Sequence, residues 1–286
     1  MAEHDRHRRA ALGLGLAGVA GLATSGSARA QAPTSTWERI RSTNELRIGV
    51  VPGEPWFYKD LTTGSWGGIG ALAGEAVAKD LGAKLVTVET SWGNAVAGLQ
   101  AGQYDVMFVL DATPQRALAI DFPVQPFFYY AQGVLLRPDT TARHWSDLDK
   151  PEITIGVALG TAPDRDVTAR LTKATIKRFP GLDPALLAFQ AGQLNALCFY
   201  HPALVLMQQK SQQGTVVLPE PIRYSATSAG VRREADKTWR DWLGTALDFY
   251  YTTGQTQRMY ETYLTARGMD PAKAPPVMRE LWGQRS

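Results

Sequence analysis

The sequence predicts an α/β chain built of two similar lobes, each an open, mostly parallel sheet covered by helices. Three observations predict this. Strand-like and helix-like stretches alternate along the chain, the pattern of parallel βαβ units. A short apolar strand, Leu46-Arg47-Ile48-Gly49-Val50, recurs in form as Ile153-Thr154-Ile155-Gly156-Val157. A Gly-ended helix leading into a strand, Leu99-Gln100-Ala101-Gly102-Gln103-Tyr104-Asp105-Val106, recurs in the same order as Phe189-Gln190-Ala191-Gly192-Gln193-Leu194-Asn195-Ala196. The spacing inside the two halves differs, so the chain is not a solenoid of equal repeats.

Residues 1–30 read as a secretory signal peptide. Arg6, His7, Arg8 and Arg9 form a basic n-region, residues 10–24 are apolar, and Ala28-Arg29-Ala30 is a small-x-small cleavage site. The apolar run falls short of the roughly 20 residues that span a bilayer. Arg8-Arg9 followed by Leu12 is compatible with twin-arginine as well as Sec export. Residues 31–35 are expected to lack regular structure. Residues 46–51 alternate and carry β-branched side chains, a strand. Residues 75–81 are helical, closed by Gly82 as a C-cap. Residues 84–90 alternate again, a second strand. A helix over 94–101 stops at Gly102, and 105–110 is a continuous apolar run, as in a strand buried on both faces. The middle of the chain repeats the scheme: a strand at 153–157, a helix at 163–171 with Thr161 as cap and Pro163 in its first turn, a helix at 184–191 and a strand at 196–200. Residues 237–264 read as two amphipathic helices broken near Gly254. Their stripe of Trp239, Trp242, Leu243, Leu247, Tyr250 and Tyr260 is expected to pack into the core.

Composition narrows the function classes. With 44% hydrophobic and 20% charged residues, the chain fits neither a disordered segment, a fibrous repeat nor a multi-span membrane protein. Its 286 residues suffice for about two domains. The single cysteine, Cys198, excludes an intrachain disulfide framework and a Cys-cluster zinc site. It lies within an apolar strand, as a buried, inert thiol would. Two of the four histidines fall in the first ten residues, which leaves little for a metal site; no metal or cofactor is expected. Cleavage after Ala30 removes four basic and two acidic residues and takes the formal charge from +3 to +1. No basic stripe remains to argue for nucleic acid.

Candidate chemistry sits where strands end. Asp111-Ala112-Thr113-Pro114-Gln115-Arg116 follows the strand at 105–110, at the carboxyl end where open sheets bind ligands. It offers a carboxylate, a hydroxyl on Thr113 and, on Arg116, a guanidinium able to hold a carboxylate bidentately. The alternative is a surface turn with an internal Asp111–Arg116 pair. Gly160, Thr161 and Ala162 occupy the matching place in the second half, at a helix N-terminus that favours an anion, or form an ordinary capped helix. Trp56 and Trp92 both follow predicted strands and either stack on a ligand at a cleft rim or pack into the core. Tyr200 ends the strand at 196–200 and is placed to face a cleft; His201 reads equally as a helix-start surface residue or a ligand contact. There is no Gly-x-Ser-x-Gly elbow, phosphate loop or His-Glu-x-x-His motif, which argues against an enzyme.

The ordered series resembles a known family. It runs from the strand at 46–51 through Pro55-Trp56, Gly68 to Gly82, Ser91-Trp92, residues 99–105, Thr113-x-x-Arg116 with Asp121-Phe122 and Trp145-Ser146-Asp147-Leu148 to Ile155-Gly156-Val157-x-x-Gly160-Thr161. It is similar to the extracytoplasmic solute-binding proteins, family 3, of polar amino-acid ABC transporters. The resemblance implies a two-lobed, type II periplasmic-binding-protein fold whose sheets are joined by a two-strand hinge, near 127–131 and 225–228. Lobe 1 would comprise 31–127 plus 228–286 and lobe 2 residues 128–227. It further implies a monomer in the periplasm, not an enzyme, that captures a small carboxylate-bearing metabolite by hinge closure and partners an inner-membrane ABC permease. By this resemblance Arg116 clamps the ligand carboxylate, residues 160–162 add donors from the other lobe and Trp92 stacks. An exported enzyme on the same scaffold, similar to cyclohexadienyl dehydratases, and a sensory binding protein independent of transport are the alternatives.

Three positions depart from the family pattern. Tyr200 stands where an aspartate usually meets the ligand ammonium, Gly53 where an aromatic is usual, and Asp111 where Ser or Thr is usual. Trp56 is expected to fill the space at Gly53. Asp111 either replaces the missing aspartate or pairs with Arg116, in which case the ligand is not zwitterionic.

Overall fold

The computed structural model describes residues 35–282; the predicted signal peptide lies outside them. Helix α1 (Thr36–Thr43) comes first. Ser35 accepts the Glu38 amide while the Glu38 side chain reaches back to the Ser35 amide, a capping box that satisfies two end amides reciprocally. Ser35, expected to be irregular, therefore caps a helix that the periodicity reading missed.

The first segment continues with β1 (Glu45–Val50), the short pair β2 (Tyr58–Lys59) and β3 (Trp66–Gly67), α2 (Ile69–Leu81), β4 (Lys84–Glu89), α3 (Ala95–Gln100), β5 (Met107–Leu110) and α4 (Pro114–Ala117). Strands β1 and β4 pair in parallel. Gly49 donates to the Val106 carbonyl at 2.9 Å, so the lead-in to β5 also joins β1. The middle segment runs β6 (Phe128–Leu136), α5 (Trp145–Leu148), β7 (Thr154–Ala158), α6 (Ala162–Arg170), β8 (Thr175–Phe179), α7 (Leu182–Gln190), β9 (Ala196–Tyr200), α8 (His201–Ser211), β10 (Thr215–Val217) and β11 (Tyr224–Gly230). Helices α9 (Thr238–Thr252) and α10 (Gln255–Ala266) follow.

The main sheet has the order β5-β11-β6-β9-β7-β8, with β10 beside β6. Its parallel pairs are β7 with β8 and β9. Strands β6 and β11 are antiparallel to each other, from Tyr224 opposite Ala131 to Thr227 opposite Phe128, and to their outer neighbours β9 and β5. The sheets are thus mixed: parallel where βαβ units build them, antiparallel where the two long strands overlapping the expected crossovers tie the halves together. In the β5–β11 pair, Ser228 faces Leu110 but Ala229 faces Phe108. Val109 is the extra residue, a bulge at φ 59°. That conformation is an outlier for a β-branched side chain and costs on the order of 1–3 kcal/mol. Bulges bend a strand and re-aim its end, and this one immediately precedes Leu110 and Asp111.

Burial follows the pleat. Along β9, Leu197 joins one core while Ala196 and Cys198 join another, because alternate side chains point to opposite faces. The larger core includes β1, α2, β5 and the tail helices. Of the predicted tail stripe, Trp239, Leu243, Leu247, Tyr250 and Tyr260 are buried, and Trp242 packs beside them; each such aliphatic burial contributes about 1.5–3 kcal/mol. The repeated Gly-ended helix is a repeat in structure too. Gly102 donates to Leu99 and Gln103 to Gly98, as Gly192 donates to Phe189 and Gln193 to Ala188, all at 3.0 Å.

Candidate functional site

A cavity of about 210 Å³ opens at the carboxyl ends of β5 and β9. Trp56, Trp92, Asp111, Arg116 and Tyr200 line it together with Val109, Leu110, Tyr130 and Phe199. Five of the nine residues singled out from sequence therefore meet at one place. Thr113, Gly160, Thr161 and Ala162 are not among its walls.

Each wall residue has an identifiable support. Helix α2 starts at Gly68 without a side-chain cap. Its first amides are met instead by the loop before it: Ile69 donates to Pro55 at 3.3 Å and Gly70 to Trp56 at 3.0 Å, which satisfies end donors a helix cannot satisfy itself. The helix thereby pins the loop that carries Trp56. A Cβ on Gly68 would meet the Trp56 carbonyl oxygen at 2.5 Å, so glycine permits the approach. The Trp56 ring stacks on Phe128 at 6.0 Å and leans on Tyr130 at 5.8 Å. Trp92 opens a single 3-10 turn capped by Ser91 and packs against buried Phe57. Its indole Nε1, not Trp56, lies nearest the space at Gly53, 3.7 Å from where a Cβ would stand. The expectation for Trp56 is corrected accordingly: Trp56 is held away by its contacts with the crossover strand.

Thr113 caps α4, accepting the Arg116 amide at 3.2 Å, and is exposed; its hydroxyl serves the turn. Arg116 is half-buried, and its Nη1 donates to the Asp111 carbonyl oxygen at 3.0 Å. Among the described residues the Asp111 carboxylate makes no ion pair with Arg116. It accepts instead from the hydroxyl of Tyr130, a buried residue of β6. Burial, then the adjacent Asp111 carboxylate, push the Tyr130 phenol far above its ordinary range, so it stays a donor. Tyr200 packs on Tyr130 with centroids 4.2 Å apart, and its hydroxyl lies 3.3 Å from that of Ser225.

In the second half, the Gly160 amide donates to Asp164 Oδ2 at 2.9 Å and the Thr161 hydroxyl to the Ala158 carbonyl at 2.7 Å. The Thr161 amide goes to the same carbonyl at 3.3 Å. The capped-helix alternative describes these residues. His201 is neither on the surface nor at the cavity. It is fully buried, its Nδ1 accepts the Ala131 amide at 2.9 Å, and burial lowers its pKa to about 3. Cys198 is buried as expected, and burial pushes its thiol up to about 12. Sequence reasoning missed four wall residues, Val109, Leu110, Tyr130 and Phe199; of these Tyr130 is the one that bonds to a predicted site residue. The available sign was strand alternation, which places it on the same face as Phe128 and Gln132.

A larger cavity of about 680 Å³ lies between the 216–222 stretch and residues 272–282. Its Arg143 and Glu220 pair with each other at 3.7 Å and are well exposed. It lies away from the strand ends that carry the arginine, so the smaller cavity is the better ligand site. Among the described residues no cluster of His, Cys, Asp or Glu is arranged to hold a metal ion, and no helix is long and apolar enough to cross a membrane.

Comparison with known proteins agrees with this architecture. The chain is 27% identical over 169 residues to a cyclohexadienyl dehydratase from Pseudomonas aeruginosa, covering 57% of this chain and 61% of that protein. It is 26% identical over 159 residues to a probable histidine-binding protein from Campylobacter jejuni, covering 54% and 60%. The matches thus span about three-fifths of these curated relatives. Among solved structures, an ancestral cationic amino acid solute binding protein superposes with a TM-score of 0.71 at 26% identity, over 80% of this chain and 99% of the other. An amino acid ABC transporter substrate-binding protein from Streptococcus pneumoniae, bound to L-arginine, superposes at 0.62 with 18% identity, over 80% and 98%, and shows the shared fold alone. That fold is the type II periplasmic-binding-protein fold. The model of one family matches residues 46–266: the chain belongs to the bacterial extracellular solute-binding proteins, family 3.

Proposed function

We propose that this protein is a periplasmic solute-binding protein that captures a small carboxylate-bearing polar metabolite, an amino acid or a close analogue, and delivers it to an inner-membrane ABC permease. Lobe 1 would be 31–127 plus 228–286 and lobe 2 residues 128–227, closing over the ligand about β6 and β11 by hinge motion. The monomer works without a cofactor, and residues 1–30 direct its export. The observation that carries this reading is Arg116: a half-buried guanidinium and, among the described residues, the one cation in the walls of the strand-end cavity. It would hold the ligand carboxylate with Trp56 and Trp92 beside it and Tyr200 from the other half. Gly160, Thr161 and Ala162 would reach the ligand only on closure, and two of their amides are already engaged.

Isothermal titration of wild type and Arg116→Ala with a metabolite panel tests the assignment. Truncating one partner of a desolvated charge pair costs on the order of 2–5 kcal/mol. Undiminished binding by the variant would remove the anchor. The dehydratase relative makes capture with turnover the competing outcome. Mass spectrometry of the ligand after incubation should return it unchanged; a dehydrated product would establish an enzyme.

A further inference from the structure

Among the described walls of the cavity stand one guanidinium and one carboxylate, and the rest are rings and two aliphatic side chains; the charge of Arg165 is also felt at Tyr200. Arg116 and Asp111 lie on one connection, yet they do not neutralise each other. Arg116 spends Nη1 on the Asp111 backbone carbonyl, and the Asp111 carboxylate takes its bond from Tyr130. Among the described residues the other carboxylate oxygen, Oδ2, accepts no hydrogen bond, although an ionised carboxylate offers about four acceptor sites. The site therefore presents an acceptor for a ligand cation and a donor fork for a ligand anion a few residues apart.

The rings form a continuous, touching wall. Trp56 to Tyr130, Tyr130 to Tyr200 and Tyr200 to Phe199 have centroids 5.8, 4.2 and 5.4 Å apart. A second positive charge on the ligand would meet no second carboxylate among the described walls, and an unpaired buried charge is costly. An apolar group gains burial against the same wall. The volume of about 210 Å³ is below the roughly 300 Å³ at which sites for drug-sized ligands begin, which fits a single amino acid.

We infer that the site takes one α-amino acid with an uncharged, apolar or aromatic side chain, its carboxylate on Arg116 and its ammonium on Asp111, with Tyr130 as the positioning residue that holds the Asp111 carboxylate in place. The inference rests on the capture reading above and sets this site apart from the similar cationic amino acid solute binding protein and the L-arginine-bound protein.

Titration of the exhaustively dialysed mature protein with L-phenylalanine, L-leucine, L-methionine, L-lysine, L-arginine and 3-phenylpropionate provides the test. At least one apolar amino acid is expected to bind tenfold or more tighter than lysine and arginine. Phenylalanine is expected to exceed 3-phenylpropionate, which lacks only the ammonium, by thirtyfold or more. Asp111→Asn should collapse that ratio towards one. Tyr130→Phe should reduce it severalfold, a readout that loss of packing alone would not move. If Asp111→Asn does not fold, the wild-type ratio and Tyr130→Phe decide the matter. Preference for arginine or lysine, or equal affinity for phenylalanine and 3-phenylpropionate, overturns the inference. Should arginine bind tightly and Arg116→Ala abolish it, capture stands and only the side-chain class falls. If no carboxylate binds, both readings fall.

Discussion

Residues 111–116 and residues 158–164 each carry the chain from the carboxyl end of a strand into the start of a helix, and they spend their polar groups differently. In the first, Thr113 caps the helix, Tyr130 on another strand holds the Asp111 carboxylate, and among the described residues the Arg116 guanidinium makes one hydrogen bond, from Nη1 to the Asp111 carbonyl oxygen. In the second, Asp164 sits in the first turn of α6. It accepts from Gly160 at 2.9 Å and pairs with Arg178 at 2.9 Å, while Arg165 donates to the Gly160 carbonyl at 2.7 Å. The anion that a helix N-terminus favours is supplied there by the protein itself. Equivalent topology therefore does not leave equivalent donors free; what matters is whether an internal partner already occupies them.

The largest effect that would break this comparison is on affinity. Arg116→Ala is expected to lose on the order of 2–5 kcal/mol of ligand binding, whereas Asp164→Asn should leave affinity within about threefold of wild type, both read by titration calorimetry. Next is Gly68→Ala, whose Cβ would collide with the Trp56 carbonyl and sit at φ 102°. A stability loss of roughly 3 kcal/mol in denaturant melts should accompany weaker binding, because the Trp56 loop must move.

Asp164 has its own signature in pH. Burial alone would raise its pKa, but hydrogen bonds from Gly160 and Thr168 and the Arg178 guanidinium outweigh it and hold the carboxyl below its ordinary value. A carboxyl so depressed in the fold contributes stability above its unfolded pKa of about 3.9 and loses it as pH falls through the folded value. The gap in Tm between wild type and Asp164→Asn should be full at neutral pH and close below about pH 4. Smallest is Gly160→Ala. Its Cβ would find open space, but φ is 74°, so only about 1–2 kcal/mol of left-handed strain is expected, with affinity unchanged.

Much of this arrangement was legible in the residues. The strands at 46–51, 84–90 and 196–200 and the tail helices fall within one or two residues of expectation, because alternation and helical spacing are local signals. Trp56, Trp92, Asp111, Arg116 and Tyr200 meet in one cavity because each follows or ends a strand. What the residues did not disclose depends on pairing across the sheet. Tyr130 lies in the run Phe127-Phe128-Tyr129-Tyr130, where no local feature says which ring will reach a carboxylate 19 residues earlier. The bulge at Val109 is invisible because a β-branched residue in a strand reads as regular. His201 reads equally as a helix-start surface residue or a ligand contact, yet it is buried with its Nδ1 on the Ala131 amide. Asp164 was visible as an acid in a first helical turn, and its competition for the Gly160 amide was the signal to read.

A crystal structure of the protein with its tightest-binding amino acid tests the central claim most directly. The account predicts the ligand carboxylate about 3 Å from the Arg116 guanidinium nitrogens, in the cavity at the ends of β5 and β9, with its ammonium against Asp111. A ligand seated in the larger cavity beside residues 272–282, or one in the smaller cavity with its carboxylate turned away from Arg116, would contradict it.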